Sequence, residues 1–433
     1  MLNKKSISLS HKFSALLFAA VILAYVFSAG FLGMKAAAAD NNSPSVEAVS
    51  ALLIDARRGQ VIFSKSSDES IKNPVVNRIM TALIALDALD KTGSDAMVTA
   101  SNEAIGVEGA SLELTVGEKY PVKNMVYALL LTGANDAAKA IADYVGGGEP
   151  GFVGLMNDYA AKIGMANTNF TNSTGLFDEN QYTTADDMAL LIRYAMTNST
   201  EFNKVFSTQA KPWYDTVKTI VLTNSNNMFW DYGDTDGGAL GGFDPALQTI
   251  ITTATQNSMR LICILADVPS EKSCPDSTTL LTYGFDNYRY GTLVAAGSVQ
   301  KTVDVEGESV NLVPTVDVHY IYPRGQNYIK KVDINVDQTK LKPPVTTNSI
   351  VGIMTFTLLD DTIINVELYP DKEILPKKTQ VQILKERISE NMGLIYVIAG
   401  LLVLEVILLM TKAIGALRKS RIGRRIRKLH HHR

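Results

Sequence analysis

The chain has 433 residues, 46% of them hydrophobic and 20% charged, enough for two to three domains and too apolar for a disordered protein. The net charge of −3 hides a segregation. The 13 Lys and Arg of residues 1–39 and 411–433 have no acid among them, whereas the stretch between, Glu405 aside, holds 28 bases against 43 acids. A body this acidic lacks the basic face that nucleic acid requires, so no nucleic-acid partner is expected. Of five histidines only His319 lies in the body, beside two cysteines, Cys263 and Cys274. A Ser-His-Asp triad or a His-ligated zinc would have to be built around that one residue, and no metal or other cofactor is expected.

In chain order, Lys4, Lys5 and Lys12 precede an apolar run from Phe13 to Leu32, and Ala36–Ala39 offers a small-residue cleavage site. Residues 1–39 read as a signal peptide, with an uncleaved anchor as the alternative. From 46 to 268 strand and helix patterns mix. Ala51–Asp55 and Gln60–Lys65 predict a hairpin turned at Arg57-Arg58-Gly59. Ile79–Leu89, Val122–Val145, Phe152–Ile163 and Thr184–Ala195 carry helical apolar spacing, the last behind a capping start at Thr183-Thr184. Leu247–Thr255 and Met259–Val268 predict strands, so this stretch reads as one α+β domain whose terminal strands share a sheet. Cys263 lies in the second of these strands, and a disulfide to Cys274 and a buried free thiol are equally open.

From 291 to 370 helical periodicity gives way to short strand patterns, which predicts a small all-β domain. Residues 376–391 then form a juxtamembrane linker to 392–410, a 19-residue apolar stretch about 28 Å long as a helix, close to the ~30 Å hydrocarbon core of a bilayer. The nine bases of 411–433 predict a cytoplasmic tail with the body outside, and anionic lipid as the tail's partner. Glu405 within the span is either a group seeking a polar partner or a neutral acid near the inner interface.

Several long stretches of the body, namely LLIDARRGQVIFSK, RIMTALIALDAL, YALLLTGANDAAKAIADYVGG, FVGLMNDYAAKIGMANTNFTNSTGLFDENQYTTADDMALLIRYAM and SMRLICILADV, resemble the serine-type D-Ala-D-Ala carboxypeptidases, the low-molecular-weight penicillin-binding proteins. PPVTTNSIVGIMTF resembles that family's C-terminal domain, so the likeness runs in order from about 46 to 370. The resemblance implies a beta-lactamase/transpeptidase-like domain with an antiparallel sheet and helices, then a small all-β domain. It also implies three motifs: S-x-x-K for the nucleophile and its base, S-x-N for proton relay, and K-T-G to grip the substrate carboxylate.

All three motif positions are altered here. The first falls on Val75-Val76-Asn77-Arg78, where Val75 offers no nucleophilic oxygen and Arg78 stays protonated and cannot act as a base. The second falls on Gly133-Ala134-Asn135, keeping only Asn135, and the third falls near Leu240-Gly241-Gly242, with no Lys between Lys218 and Lys272. Look-alikes do not restore the set. Ser298-Val299-Gln300-Lys301 sits in the all-β region, Lys91-Thr92-Gly93 reads as a helix stop, Ser225-Asn226-Asn227 reads as a turn, and His319 as a strand side chain. Loss of several members of a catalytic unit removes many orders of magnitude in rate. The sequence therefore implies no catalytic residues and a membrane-anchored extracytoplasmic relative that binds or scaffolds, with peptidoglycan or a cell-wall protein as partner. The alternative is an active carboxypeptidase with a displaced nucleophile such as Thr132. Arg78 reads either as half of a structural salt bridge or as a substitute anion anchor.

Overall fold

The computed structural model describes residues 43–93, 95–359, 361–377 and 379–429; the expected signal peptide at 1–39 lies outside the described residues. The elements begin with β1 (Ser50–Asp55), β2 (Val61–Lys65), α1 (Pro74–Thr92), β3 (Met97–Thr99), β4 (Lys119–Pro121), α2 (Val122–Thr132), α3 (Asn135–Gly146) and α4 (Glu149–Ile163). They continue with α5 (Ala185–Asn198), α6 (Thr200–Phe206), β5 (Ala210–Tyr214), β6 (Thr219–Thr223), α7 (Met228–Asp231), β7 (Thr235–Asp244), β8 (Leu247–Gln256), β9 (Met259–Pro269) and α8 (Ser273–Asn287). Strands follow: β10 (Tyr288–Val294), β11 (Lys301–Val305), β12 (Glu308–Val313), β13 (Val318–Pro323), β14 (Ile329–Val336), β15 (Gly352–Leu358) and β16 (Ile363–Pro370). Two helices close the chain, α9 (Gln380–Glu390) and α10 (Met392–Leu429).

The chain divides into two compact units. The first holds the residues up to Gln300 with Val313–Val336 and Gly352–Leu368; the second holds Lys301–Leu312, Asp337–Val351 and the chain from Tyr369 onward. In the first unit a five-stranded antiparallel sheet runs in the order β2-β1-β9-β8-β7, so the opening hairpin and the two later strands do share one sheet. Central strands buried on both faces favour consecutive apolar residues, and β1 carries them from Ala51 to Ile54 and β9 from Leu261 to Ala266. Leu52 and Ile54 of β1 with Ile262, Ile264 and Ala266 of β9 join the core under α1 to α6. Ala51, Leu53, Leu261, Cys263 and Leu265 face the opposite way and pack with Leu280, Leu281 and Phe285 of α8. Helix α1 is buried along nearly all of its length from Pro74 to Leu86, as expected of a helix that is apolar on every side.

The expected helix over 122–145 is two helices. Gly133 adopts φ 71°, its N–H reaches back to Leu129, and α3 restarts at Asn135. The left-handed conformation, which glycine enters without a Cβ penalty, lets the chain change direction there. Beyond the main sheet, β10 pairs with β13, and β14, β15 and β16 form an antiparallel meander.

In the second unit β11 and β12 form a hairpin, tied to Asp371 by both the N–H and the side-chain amide of Asn311. The stretch 376–391 contains α9, opened by a reciprocal capping box between Thr379 and Gln382 that supplies partners for its first N–H groups. Helix α10 continues unbroken for 38 residues, past the apolar stretch and on to Leu429. Met392–Leu417 is long and apolar enough to cross a membrane, and none of its most apolar stretch is buried by protein.

Cys263 and Cys274 are both free. Burial pushes the Cys263 thiol up to about 12, and burial together with Asp231 raises that of Cys274. The thiolate is the reactive form, so a thiol-specific chromophore at pH 8 is expected to leave Cys263 unlabelled in the native chain and to count two thiols after denaturation without reductant. A count of zero would mean a disulfide instead.

Candidate functional site

The first turn of α1 is set by local chemistry. Asn73 is the N-cap and accepts the Val75 N–H at 2.6 Å, while Pro74 occupies the first helical position, where no N–H is needed. The turn is then clamped from the side: Asn77 Nδ2 donates to the Asn172 carbonyl and to Gln181 Oε1, and the Thr81 hydroxyl donates to the Ser173 carbonyl. Val75 is buried at 1% exposure, so no reactive group is presented at this position.

Arg78, one turn further on, reaches the two places where the other motifs were expected. A Cβ built on Gly133 would lie 2.5 Å from Arg78 Nη1, and one built on Gly241 would lie 2.8 Å from the same atom and 3.1 Å from a Val75 methyl. Val75, Arg78, Gly133 and Gly241 thus converge, and the two glycines make room for the guanidinium. Leu240 lies on the other face of β7, among residues packed around the α8 core, whereas Ala239 belongs to the core under α1. Strand alternation explains the difference: 239 and 241 share a face that 240 does not. Neither face of β7 presents a lysine.

Asn135 is tied to the loop before α2. Its Nδ2 donates to the Glu108 carbonyl at 2.7 Å, and its Oδ1 is buried without a partner. Its neighbour Asp136, which the sequence reading passed over, is wholly buried and accepts from Ser111 Oγ and from the Leu112 and Leu114 N–H groups, fixing the 111–114 loop. A lone acid at the start of a helix was the available signal for it.

The guanidinium has no ion pair among the described residues. Its Nε is sealed from solvent without a hydrogen bond, though the residue as a whole stays partly accessible. Burial lowers its pKa to about 10, which leaves it charged at neutral pH. The salt-bridge reading of Arg78 is therefore replaced by an unpaired cation. Asn73 Nδ2 and Asn77 Oδ1 are also buried without partners, so four of the seven such side-chain atoms among the described residues fall at 73–78 and 135.

The look-alike motifs hold structural posts. Thr132 Oγ1 donates to the Ala128 carbonyl one turn back, and Thr92 likewise to Ala88, with Gly93 ending α1. Ser225 Oγ donates to the Leu240 carbonyl, and Asn226 is buried, donating to the Ile251 carbonyl and Thr252 Oγ1. The Ser298 hydroxyl is held by the Ala295 carbonyl. His319 lies on β13, its Nδ1 3.1 Å from Thr292 Oγ1 and its ring 4.8 Å from that of Tyr290. Among the described residues no cluster of His, Cys, Asp and Glu is suited to a metal ion.

Comparison with known proteins decides the family. Residues 36–270 match the family model described as D-alanyl-D-alanine carboxypeptidase, and 288–375 match that of the penicillin-binding protein 5 C-terminal domain. The chain belongs to the D-alanyl-D-alanine carboxypeptidase family. It is 31% identical over 297 residues to the carboxypeptidase DacF of Bacillus subtilis, covering 66% of this chain and 75% of that one. It is 29% identical over 338 residues to DacC of Escherichia coli, covering 73% and 81% respectively. The crystal structure of penicillin-binding protein 5 from Haemophilus influenzae matches with a TM-score of 0.67 at 25% identity, over 78% of this chain and all of that one. Within this family fold Arg78, Gly133 and Gly241 stand together at the start of α1.

Because Gly133 is left-handed and abuts Arg78, the substitution Gly133→Ser is expected to destabilise the fold by about 1–3 kcal/mol through backbone strain and crowding. In combination with Arg78→Ala, which vacates the space, the two effects should be clearly non-additive. Urea denaturation of the two single variants and the double variant measures this; simple additivity would contradict the contact.

Proposed function

We propose that this chain is a catalytically silent member of its family, anchored in the membrane by α10 and acting at the cell wall as a binding or scaffold protein. The observation that carries the reading is the convergence of a buried valine and a charged arginine where the resemblance puts nucleophile and base, with β7 bringing no lysine to them. Acyl transfer needs an attacking oxygen and a neutral base to take its proton. Thr132, the displaced-nucleophile alternative, has its hydroxyl engaged by the Ala128 carbonyl of its own helix. Peptidoglycan or a cell-wall protein is the partner this reading implies. The basic end of α10 would face the cytoplasm and its anionic lipids, with the body outside.

Incubation with a fluorescent penicillin is expected to give no covalent band, and D-Ala release from a stem-peptide analogue should stay at background. The variant Val75→Ser should remain inactive, since Arg78 cannot accept the proton. Val75→Ser with Arg78→Lys should reach at most slow acylation, the other two motifs being absent. Labelling of the unmodified chain at a rate typical of an active carboxypeptidase would refute the silent reading and mark the true nucleophile.

The orientation has its own test. Protease added to intact cells should digest the body and spare a small basic fragment; a protected body would reverse the assignment.

A further inference from the structure

The turn between β1 and β2 carries two arginines in a row, and a cavity of about 280 Å3 opens where it meets β10 and β13. The cavity is lined by Asp55, Arg57, Arg58, Tyr290, Asp317 and His319, with no aliphatic side chain among them. It lies away from Arg78. By strand register Asp55 stands level with Leu261, Ala254 and Thr235, at the end of the sheet opposite to Gly241. Four charged side chains share this space, and among the described residues none of them is ion-paired. Each is pinned by something else. Arg57 Nη1 donates to the Tyr290 hydroxyl, and the guanidinium lies 4.8 Å from the centroid of that ring. Arg58 Nε donates to the His319 carbonyl at 2.7 Å, and Asp317 Oδ1 accepts the Ala296 N–H at 2.7 Å. Asp55 is sealed at 1% exposure, its Oδ2 accepting the Arg58 N–H and its Oδ1 without a hydrogen bond. Arg193 balances Asp55 electrostatically, while its own N–H groups donate to the Ala56 and Arg57 carbonyls.

We propose that this cavity is a binding site for a free acidic α-amino acid, held through its two carboxylates and its ammonium group. The inference goes beyond the silent reading and does not depend on it. With Asp55 and Arg193 set against each other, the charges left to a ligand are the two guanidinium groups and Asp317. A ligand of one sign would be drawn to one kind of group and repelled by the other. Two carboxylates and one ammonium meet each of the three with its opposite. Arg58 is held at Nε alone, so its two Nη groups form a planar fork toward the cavity's contents, and Arg57 has nitrogens to spare beside Nη1. Asp317 is held at Oδ1 alone and keeps Oδ2 for an ammonium. The size agrees: at ~30 Å3 per water the space corresponds to about nine waters, close to the roughly ten non-hydrogen atoms of glutamate. Because Tyr290 and the backbone of the 296 and 319 positions already fix the charged groups, little ordering remains to be done when the ligand arrives.

The test uses the full chain in detergent micelles and titration calorimetry with four probes: glutamate in both enantiomers, N-acetylglutamate, glutamine and inorganic phosphate. The better glutamate enantiomer should bind about tenfold or more tightly than its N-acetyl derivative, which lacks the ammonium, and about tenfold more tightly than glutamine, which lacks the second carboxylate. Asp317→Asn keeps the oxygen that accepts the Ala296 N–H and removes the charge, so it should fold normally and abolish the preference over N-acetylglutamate. Arg57→Gln should abolish the preference over glutamine, and Arg58→Gln should weaken glutamate about tenfold. No binding of either glutamate enantiomer, equal affinity for N-acetylglutamate, tighter binding of phosphate, or a preference over N-acetylglutamate retained in Asp317→Asn would each overturn the proposal. If Arg58→Gln fails to fold, Arg58→Lys, which keeps the charge and loses the fork, should weaken glutamate severalfold, and unchanged binding would again overturn it. Penicillin labelling is not a readout here, so the silent reading stands or falls separately.

Discussion

A guanidinium set into protein without a carboxylate beside it constrains everything around it. With Arg78 in this place, a Cβ at 133 or at 241 would crowd Nη1, and the left-handed backbone at 133 favours glycine as well. The helix bearing Arg78 cannot shift to relieve the crowding. Its first turn is fixed by Asn73 and Pro74, and its flank is hydrogen-bonded to the 172–181 loop through Asn77 and Thr81. The site is thus rigid where it is electrostatically least comfortable, an arrangement typical of sites in which stability is given up for a specific charge.

Much of the architecture was legible in the sequence because it rests on periodicity. The runs in β1 and β9 are apolar at consecutive positions, and each face finds a separate core, one under α1 and one under α8. The Thr184 cap was equally readable, its side chain accepting the Asp187 N–H. Apolar spacing alone did not show the break at Gly133, since α2 and α3 carry similar patterns on both sides of it and only the glycine marks the change of direction. The capping box that opens α9 was present in the sequence as Thr379 and Gln382, within a stretch read as a linker.

The site was partly legible. Residue identity alone showed that Val75 supplies no oxygen and Arg78 no base. What one-dimensional reading lacks is facing. On β7 a shift of one residue exchanges the two sides of the sheet, and this separates Leu240, packed toward α8, from Gly241, packed toward Arg78. Nor did composition indicate whether the acids near the site were free to neutralise Arg78; that required seeing Asp136 committed to the 111–114 loop.

The contact between Arg78 and Gly133 also has a historical side. Two positions that share one small volume cannot change independently, so the order of substitutions matters. A long cation at 78 is accommodated most easily when 133 has no side chain, and a side chain at 133 then requires the guanidinium to move or residue 78 to shrink. In the space of possible sequences this acts as a ratchet. Single steps that restore a side chain at 133 while Arg78 keeps its place lead downhill in stability, so the two positions are expected to change together.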